Sequence, residues 1–409
     1  MVSHIPPQAV AGRQAGRTEH PLDFWLLGAA LLLIGLGLVM VASTSITTAD
    51  RGTGVPLHYF VRQFAYVVFG LCVAWVVMHL PLRIWGNYGA LFLFFGMFLL
   101  ILVLVPGIGR EVNGSMRWIR LGPINLQPSE PIKLLLIIYL SGYLVRHNTE
   151  VRTQLRGSVN PLFILAVIAG LLLLEPDYGA AAVLFATALG MLFLAGVSFW
   201  RFTVGTVVVA LLSAGFVFME PYRLARLTTF VNPWADPFGS GFQLTQALIA
   251  IGRGEWLGAG LGGSIQKLFY LPEAHTDFLF AVLAEELGLV GAVFVIGLFA
   301  FVVWRAFVIA RRAELRGFLF GAYLAYGIGL ILGLQAFINI GVNMGMLPTK
   351  GLALPLMSYG GSSMLVNCAA IGLLLRVERE SRFLPRNRAV QFYSIPVCAM
   401  RLSKDRALS

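Results

Sequence analysis

The chain has 409 residues, of which 58% are hydrophobic and only 12% charged, and its mean hydropathy is +0.81. A water-soluble domain carries about twice that share of charge, so most of this surface faces lipid, which only helices or a closed barrel can cross with the backbone satisfied. The net charge of +11 does not mark a nucleic-acid partner, because most arginines sit in short segments between apolar runs, where they set membrane orientation.

Ten apolar segments follow one another, at about 22–46, 59–79, 85–107, 128–145, 160–175, 178–198, 200–219, 278–304, 317–344 and 359–376. A hydrocarbon core about 30 Å thick needs roughly 20 apolar residues per helix. The sequence therefore predicts an all-α integral membrane protein, a polytopic bundle of about ten transmembrane helices. Residues 1–21 read as a polar cytoplasmic segment, and the run that follows is too long for a signal-peptide core, so the first helix is expected to be retained. The fifth and sixth segments meet across Glu175-Pro176-Asp177-Tyr178, a tight hairpin. Residues 22–382 form the predicted transmembrane domain, and 383–409 a disordered cytoplasmic tail. No repeat of fixed period is visible. Cys72, Cys368 and Cys398 show no metal-type spacing, and no disulfide framework is expected.

Basic residues set the orientation. With the N-terminus inside, Arg13, Arg17, Arg83, Arg146, Arg152, Arg156, Arg201, Arg305, Arg311, Arg312, Arg316, Arg376, Arg379 and Arg382 all fall in inner segments, as the positive-inside rule requires. The outer side then receives loops at about 108–127, 220–277 and 345–358. Arg117, Arg120, Arg223, Arg226, Arg253, Lys267 and Lys350 lie there. Any one of them is explained as surface charge; together, on the side the rule disfavours, they point to an anionic ligand.

Asp277 stands at the outer mouth of the eighth segment. An Asp or Thr just before a helix is a favoured N-cap, a role compatible with chemistry because a capped carboxylate keeps free lone pairs. His275 and Asp277 are too few to claim a metal site. Glu285 and Glu286 lie deeper on the same helix, as buried structural partners or part of a proton path. Glu130 and Lys133, three apart, share a helix face as a candidate ion pair. Gln335, Asn339 and Asn343 recur every fourth residue as a polar stripe, either bonding between helices or lining a cavity. Ser358-Tyr-Gly-Gly-Ser-Ser363 opens the tenth segment, and Ser358, Gly360 and Gly361 there offer either a phosphate site or small residues for helix packing. The glycines of 258–263 follow no strand, which argues against a nucleotide loop.

Six runs occur in order: Asn113-Gly-Ser-Met-Arg-Trp-Ile119, Gln127-Pro-Ser-Glu130, Leu174-Glu-Pro-Asp177, Gln243-Leu-Thr-Gln-Ala-Leu248, Ala274-His-Thr-Asp-Phe278 and Leu354-Pro-Leu-Met-Ser-Tyr-Gly-Gly-Ser362. Over about residues 22–382 the chain thereby resembles the SEDS family (shape, elongation, division and sporulation) of peptidoglycan glycosyltransferases, and Pro348-Thr-Lys-Gly351 favours its division-type branch. The resemblance implies polymerisation of lipid II at the outer face of the bacterial cytoplasmic membrane, at the division septum. It further implies a class B penicillin-binding protein as partner, alongside other divisome membrane proteins. It places the family's essential aspartate at Asp277, with Arg117, Glu130, Lys133 and Lys350 in the substrate site.

Such a reaction needs a base for a sugar hydroxyl and positive charge for a diphosphate leaving group, from Arg, Lys, a helix N-terminus or a divalent cation such as Mg or Mn. Asp277 is thus expected to be the general base or to position a metal ion, with Arg117 and Lys350 on the diphosphate. Two other classes compete: a lipid II flippase using Lys133, Glu285 and Glu286 at depth, and a non-catalytic divisome scaffold.

Overall fold

The computed structural model describes residues 22–112, 115–121, 124–207, 230–239, 241–268, 271–348 and 351–383. The N-terminal segment, the C-terminal tail, Arg223, Arg226 and Lys350 lie outside these residues. The elements used below are α1 (Phe24–Thr53), α2 (His58–His79), α3 (Leu82–Val103), β1 (Gly109–Val112), β2 (Ser115–Leu121), β3 (Ile124–Leu126) and α4 (Ser129–Arg146). They continue with α5 (Asn148–Thr153), α6 (Leu155–Leu174), α7 (Tyr178–Leu194), α8 (Phe242–Arg253), α9 (Leu279–Leu315), α10 (Leu319–Asn343) and α11 (Gly361–Phe383).

Nine of the ten predicted segments coincide with these helices. For the seventh, residues 199–207 are helical and the remainder falls outside the described residues. Among the described residues seven helices are long and apolar enough to cross a membrane by themselves. The sequence reading of a polytopic helical bundle is therefore the observed fold. Its outward surface is apolar where lipid would lie: Phe69 on α2 is 61% exposed and Phe94 on α3 is 70% exposed.

The interior is built on α10, which packs against α9, α7 and α4, and on α11, which lies along α2. α2 and α11 approach closely because small residues meet between them; a Cβ at Gly372 would stand 2.6 Å from the Ala74 carbonyl oxygen. At the other extreme α4 carries charge into the bundle, and Glu130 and Lys133 are both buried.

Two features of the loop-rich end were not anticipated. Residues 109–126 form a three-stranded antiparallel sheet of order β1-β2-β3, with Ile119 paired across to Gly109 on one side and Leu126 on the other. The long loop contains α8, whose Leu244, Ala247 and Ala250 recur at helical spacing and are buried, and α8 packs on α9.

Candidate active site at the loop-rich end

Asp277 closes a turn built on one carbonyl. The oxygen of Glu273, a residue with φ of 57°, accepts the amides of Thr276 at 3.2 Å and Phe278 at 3.3 Å. Neighbouring elements then grip this turn by its backbone. The Asp277 carbonyl accepts hydrogen bonds from Asn339 Nδ2 at 2.9 Å and Asn343 Nδ2 at 3.0 Å, both from α10. Ser358 Oγ donates to the Thr276 carbonyl at 2.5 Å, and the Tyr359 amide to that of His275 at 3.0 Å.

The Asp277 side chain is left out of this scaffold. It takes no hydrogen bond from any described residue. The expected capping role passes elsewhere because α9 starts beyond it: Phe278 is the N-cap residue without a cap bond, and Asn343 Oδ1 accepts the Ala281 amide at 3.1 Å. A Cβ on Gly351 would stand 3.1 Å from Asp277 Oδ2, so the chain passes close beside the carboxylate. Burial first, and then the negative charge of Glu273, push the Asp277 carboxyl up to about 7; Arg117 opposes the rise and Asp177 adds to it.

Arg117 arrives from β2. Its Nε donates to the Glu175 carbonyl at 3.1 Å and a terminal nitrogen donates to that of Pro176 at 2.5 Å, so the sheet holds the α6–α7 hairpin. Asp177 caps α7 through the Ala180 amide at 3.2 Å, and Gln127 Nε2 reaches its other oxygen at 3.5 Å. Glu175, part of the hairpin and of the Leu174–Asp177 run, is fully buried, and among the described residues neither carboxylate oxygen has a partner. Burial and the charge of Asp177 push it up to about 8, against the pull of Arg117. Its burial is not legible locally, since the strand that holds its backbone lies 58 residues away. His275 packs against Tyr59 and Tyr359, with ring centroids 5.1 and 5.4 Å apart, and burial keeps its imidazole below the usual range.

The other predicted site residues divide. Lys133 Nζ meets Glu130 Oε1 at 2.8 Å and Gln335 Oε1 at 3.2 Å, inside the bundle. Gln335, Asn339 and Asn343 bond between elements, to the carbonyls of Ala353, Leu352 and Asp277 respectively. Around Ser358, Gly360 and Gly361 two of the groups that could meet a phosphate are engaged within the protein. Ser358 Oγ also accepts the Leu354 amide at 2.9 Å, and Gln63 Oε1 accepts the Gly360 amide at 3.2 Å. A Cβ at Gly361 would stand 3.0 Å from the Tyr66 ring. This segment therefore packs closely and clamps the Asp277 turn.

Fold and site together define a multi-pass helical membrane protein with a carboxylate cluster and an arginine at one end of its bundle. Residues 24–383 match the profile of the FtsW, RodA and SpoVE group, described as Cell cycle protein, and the chain belongs to that family. Over 374 residues it is 60% identical to a protein of Thioalkalivibrio sulfidiphilus named probable peptidoglycan glycosyltransferase FtsW, covering 91% of this chain and 93% of that one. A protein of the same name from Nitrosococcus halophilus is 58% identical, covering 91% and 96%. Among solved structures, a chain of a peptidoglycan synthase complex coordinating polymerization and crosslinking superposes with a TM-score of 0.73 at 32% identity, covering 89% of this chain and 99% of that one. The rod shape determining protein RodA of Thermus thermophilus gives 0.65 at 28% identity, covering 89% and 98%. The family and division-type branch expected from the motifs are those of these relatives.

Proposed function

We propose that this chain is a peptidoglycan glycosyltransferase that polymerises lipid II, with Asp277 as the general base. One observation carries the assignment: the Asp277 turn is held by its backbone from α10 and from residues 358–359, while no described residue hydrogen-bonds its carboxylate, which burial pushes up to about 7. A base poised near the working pH and fixed in place is what hydroxyl activation requires.

Asp277 takes the proton from the 4-hydroxyl of the acceptor sugar. The freed oxygen bonds to the anomeric carbon of the donor as that carbon's bond to the diphosphate oxygen breaks, inverting the centre. The diphosphate leaves as a stable anion and needs positive charge rather than a proton. Arg117, already fixed over the hairpin, supplies it, and Lys350 next to Gly351 is its expected companion. A divalent cation such as Mg or Mn positioned by Asp277 would supply the same positive charge, though among the described residues no three His, Cys, Asp or Glu side chains converge as a metal centre. The site faces outward with both termini cytoplasmic, at the septum, and a class B penicillin-binding protein is the partner that crosslinks the product.

The test is glycan formation from labelled lipid II by the purified protein, with and without a matched class B transpeptidase. Asp277→Asn should lose about 10²–10⁴-fold of the rate while folding normally, because no described residue hydrogen-bonds the side chain. An equally active Asp277→Asn would remove the base assignment, and an inactive wild type would direct attention to lipid II translocation.

A further inference from the structure

The long loop does not end at the membrane surface. α9 is broken at Gly288, which has φ of 67° and ψ of −168°, and residues 255–260 fill the break. The Leu289 amide donates to the Glu255 carbonyl at 2.9 Å and the Val290 amide to that of Trp256 at 3.2 Å. In return the Ala259 amide donates to the Glu285 carbonyl at 2.9 Å and the Gly260 amide to that of Glu286 at 3.1 Å. Glycine is required at the crossing: a Cβ on Gly258 would collide with the Glu286 carbonyl, and one on Gly288 with the Gly258 amide.

The depth of this crossing follows from two independent counts. About 20 helical residues span a hydrocarbon core about 30 Å thick. One boundary is marked by Asp23, at the start of α1, paired with Arg305 on α9. Counting about 20 residues along α1 reaches Ser43 and Thr44; the same count back along α9 reaches Glu285 and Glu286. The two endpoints touch: Ser43 Oγ donates to the Glu286 carboxylate at 2.7 and 2.8 Å, and Lys267 Nζ meets it at 2.9 Å. That polar knot lies at the far boundary of the hydrocarbon. Leu289 and Val290, three or four residues further in, are about 5 Å inside it, and residues 255–256 are bonded to them.

We propose that residues 254–261 are a re-entrant segment immersed in the hydrocarbon of the loop-side leaflet, with its apolar side chains against lipid acyl chains. Non-helical backbone at such depth needs its polar groups paired within the protein, and the break at Gly288 pairs the Glu255 and Trp256 carbonyls and the Ala259 and Gly260 amides. Three of the side chains fit the same surroundings, and Glu255 is the segment's exposed charge. Trp256 is 72% exposed, Leu257 80% and Leu261 62%, an apolar cluster that water would penalise by about 25 cal/mol per Å². Arg253 and Ser264, flanking the segment, both bond to Glu285 at the boundary. The segment thus dips in and returns between two polar anchors.

Site-directed spin labelling of the full chain in nanodiscs tests this, in a background with Cys72, Cys368 and Cys398 replaced by Ser. Nitroxides on Leu257→Cys and, as a second position, Leu261→Cys are read for collision with oxygen, which concentrates in hydrocarbon, and with a water-soluble nickel chelate. Phe294→Cys on the lipid-facing side of α9 and Glu273→Cys on the exposed turn serve as references. Oxygen collisions exceeding nickel collisions several-fold at 257 and 261, as at 294, are the expected result. A nickel-dominated signal like that of 273 would place the loop above the membrane and overturn the proposal. Protection from both reagents would overturn it too, by showing the segment covered with protein.

Discussion

Glu285 and Asp277 are eight residues apart in the chain, yet their carboxylates are treated in opposite ways. Glu285 is met by Arg253 at 2.9 Å, by Ser264 and by the Ile265 amide at 3.0 Å. Glu286 is met by Lys267 and Ser43, Glu130 by Lys133, and Asp23 by Arg305. Each of these buried acids has a cation, which is what makes an ion tolerable in a low dielectric. At the loop-rich end the pattern reverses. Among the described residues the Asp277 carboxylate and both Glu175 carboxylate oxygens have no hydrogen-bond partner, and Arg117 donates to carbonyls rather than acids. Satisfied charges build the bundle, and unsatisfied ones single out the loop-rich end as the place for the proposed chemistry. The same contrast weakens a flippase, because the charges such a carrier would use at depth are paired into scaffold.

The sharpest way to break this contrast is to unpair a scaffold ion. Lys133→Ala strands Glu130 inside the bundle and should cost about 3–5 kcal/mol, read as a large fall in thermal midpoint in detergent. Lys133→Ala combined with Glu130→Gln should recover much of it, because no buried charge remains. A Lys133→Ala protein as stable as wild type would mean that the pair is not structural. Arg117→Ala comes next. It removes the positive charge offered to the leaving diphosphate, for an expected rate loss of about a hundredfold, and it frees the Glu175 and Pro176 carbonyls. Arg117→Lys keeps the charge but not the fork, so it should restore part of the rate without restoring wild-type stability. If rate and stability were lost together in both variants, Arg117 would be only a clamp for the hairpin.

The bundle was legible because apolar runs of membrane length are a strong signal, and Asp277 was legible because it precedes one of them in a run the family shares. The polar stripe of Gln335, Asn339 and Asn343 could be read as a stripe, but its targets could not: they are backbone carbonyls of distant loops. The sheet at 109–126 was missed because its strands are short and mixed in polarity, leaving no clean alternation. The glycines of 258–263 and Gly288 each looked like ordinary loop or helix glycines. Their need for close approach arises only when one segment crosses the other, which local sequence does not encode. Glu175 was hidden for the same reason.

The two site carboxyls can be separated by pH. If ionised Asp277 is the working base, the rate should fall about tenfold per unit as pH drops below 7 and level off above it, a profile checked by initial rates of lipid II polymerisation. A rate flat down to pH 5 would contradict a base raised to about 7. Glu175 should matter least to the rate and most to the alkaline stability. The fold favours its neutral form, so its contribution is complete below its unfolded value of 4.5 and is lost as pH rises through about 8. Glu175→Gln preserves that neutral form at every pH. It should polymerise within about twofold of wild type at pH 7, because glutamine keeps the shape and neutrality of the protonated acid. Melting followed by tryptophan fluorescence should show the two proteins alike at pH 5 and the variant more stable at pH 9. An inactive Glu175→Gln would show that the ionised carboxylate is needed, and Glu175 would then join Asp277 in the reaction rather than stand beside it.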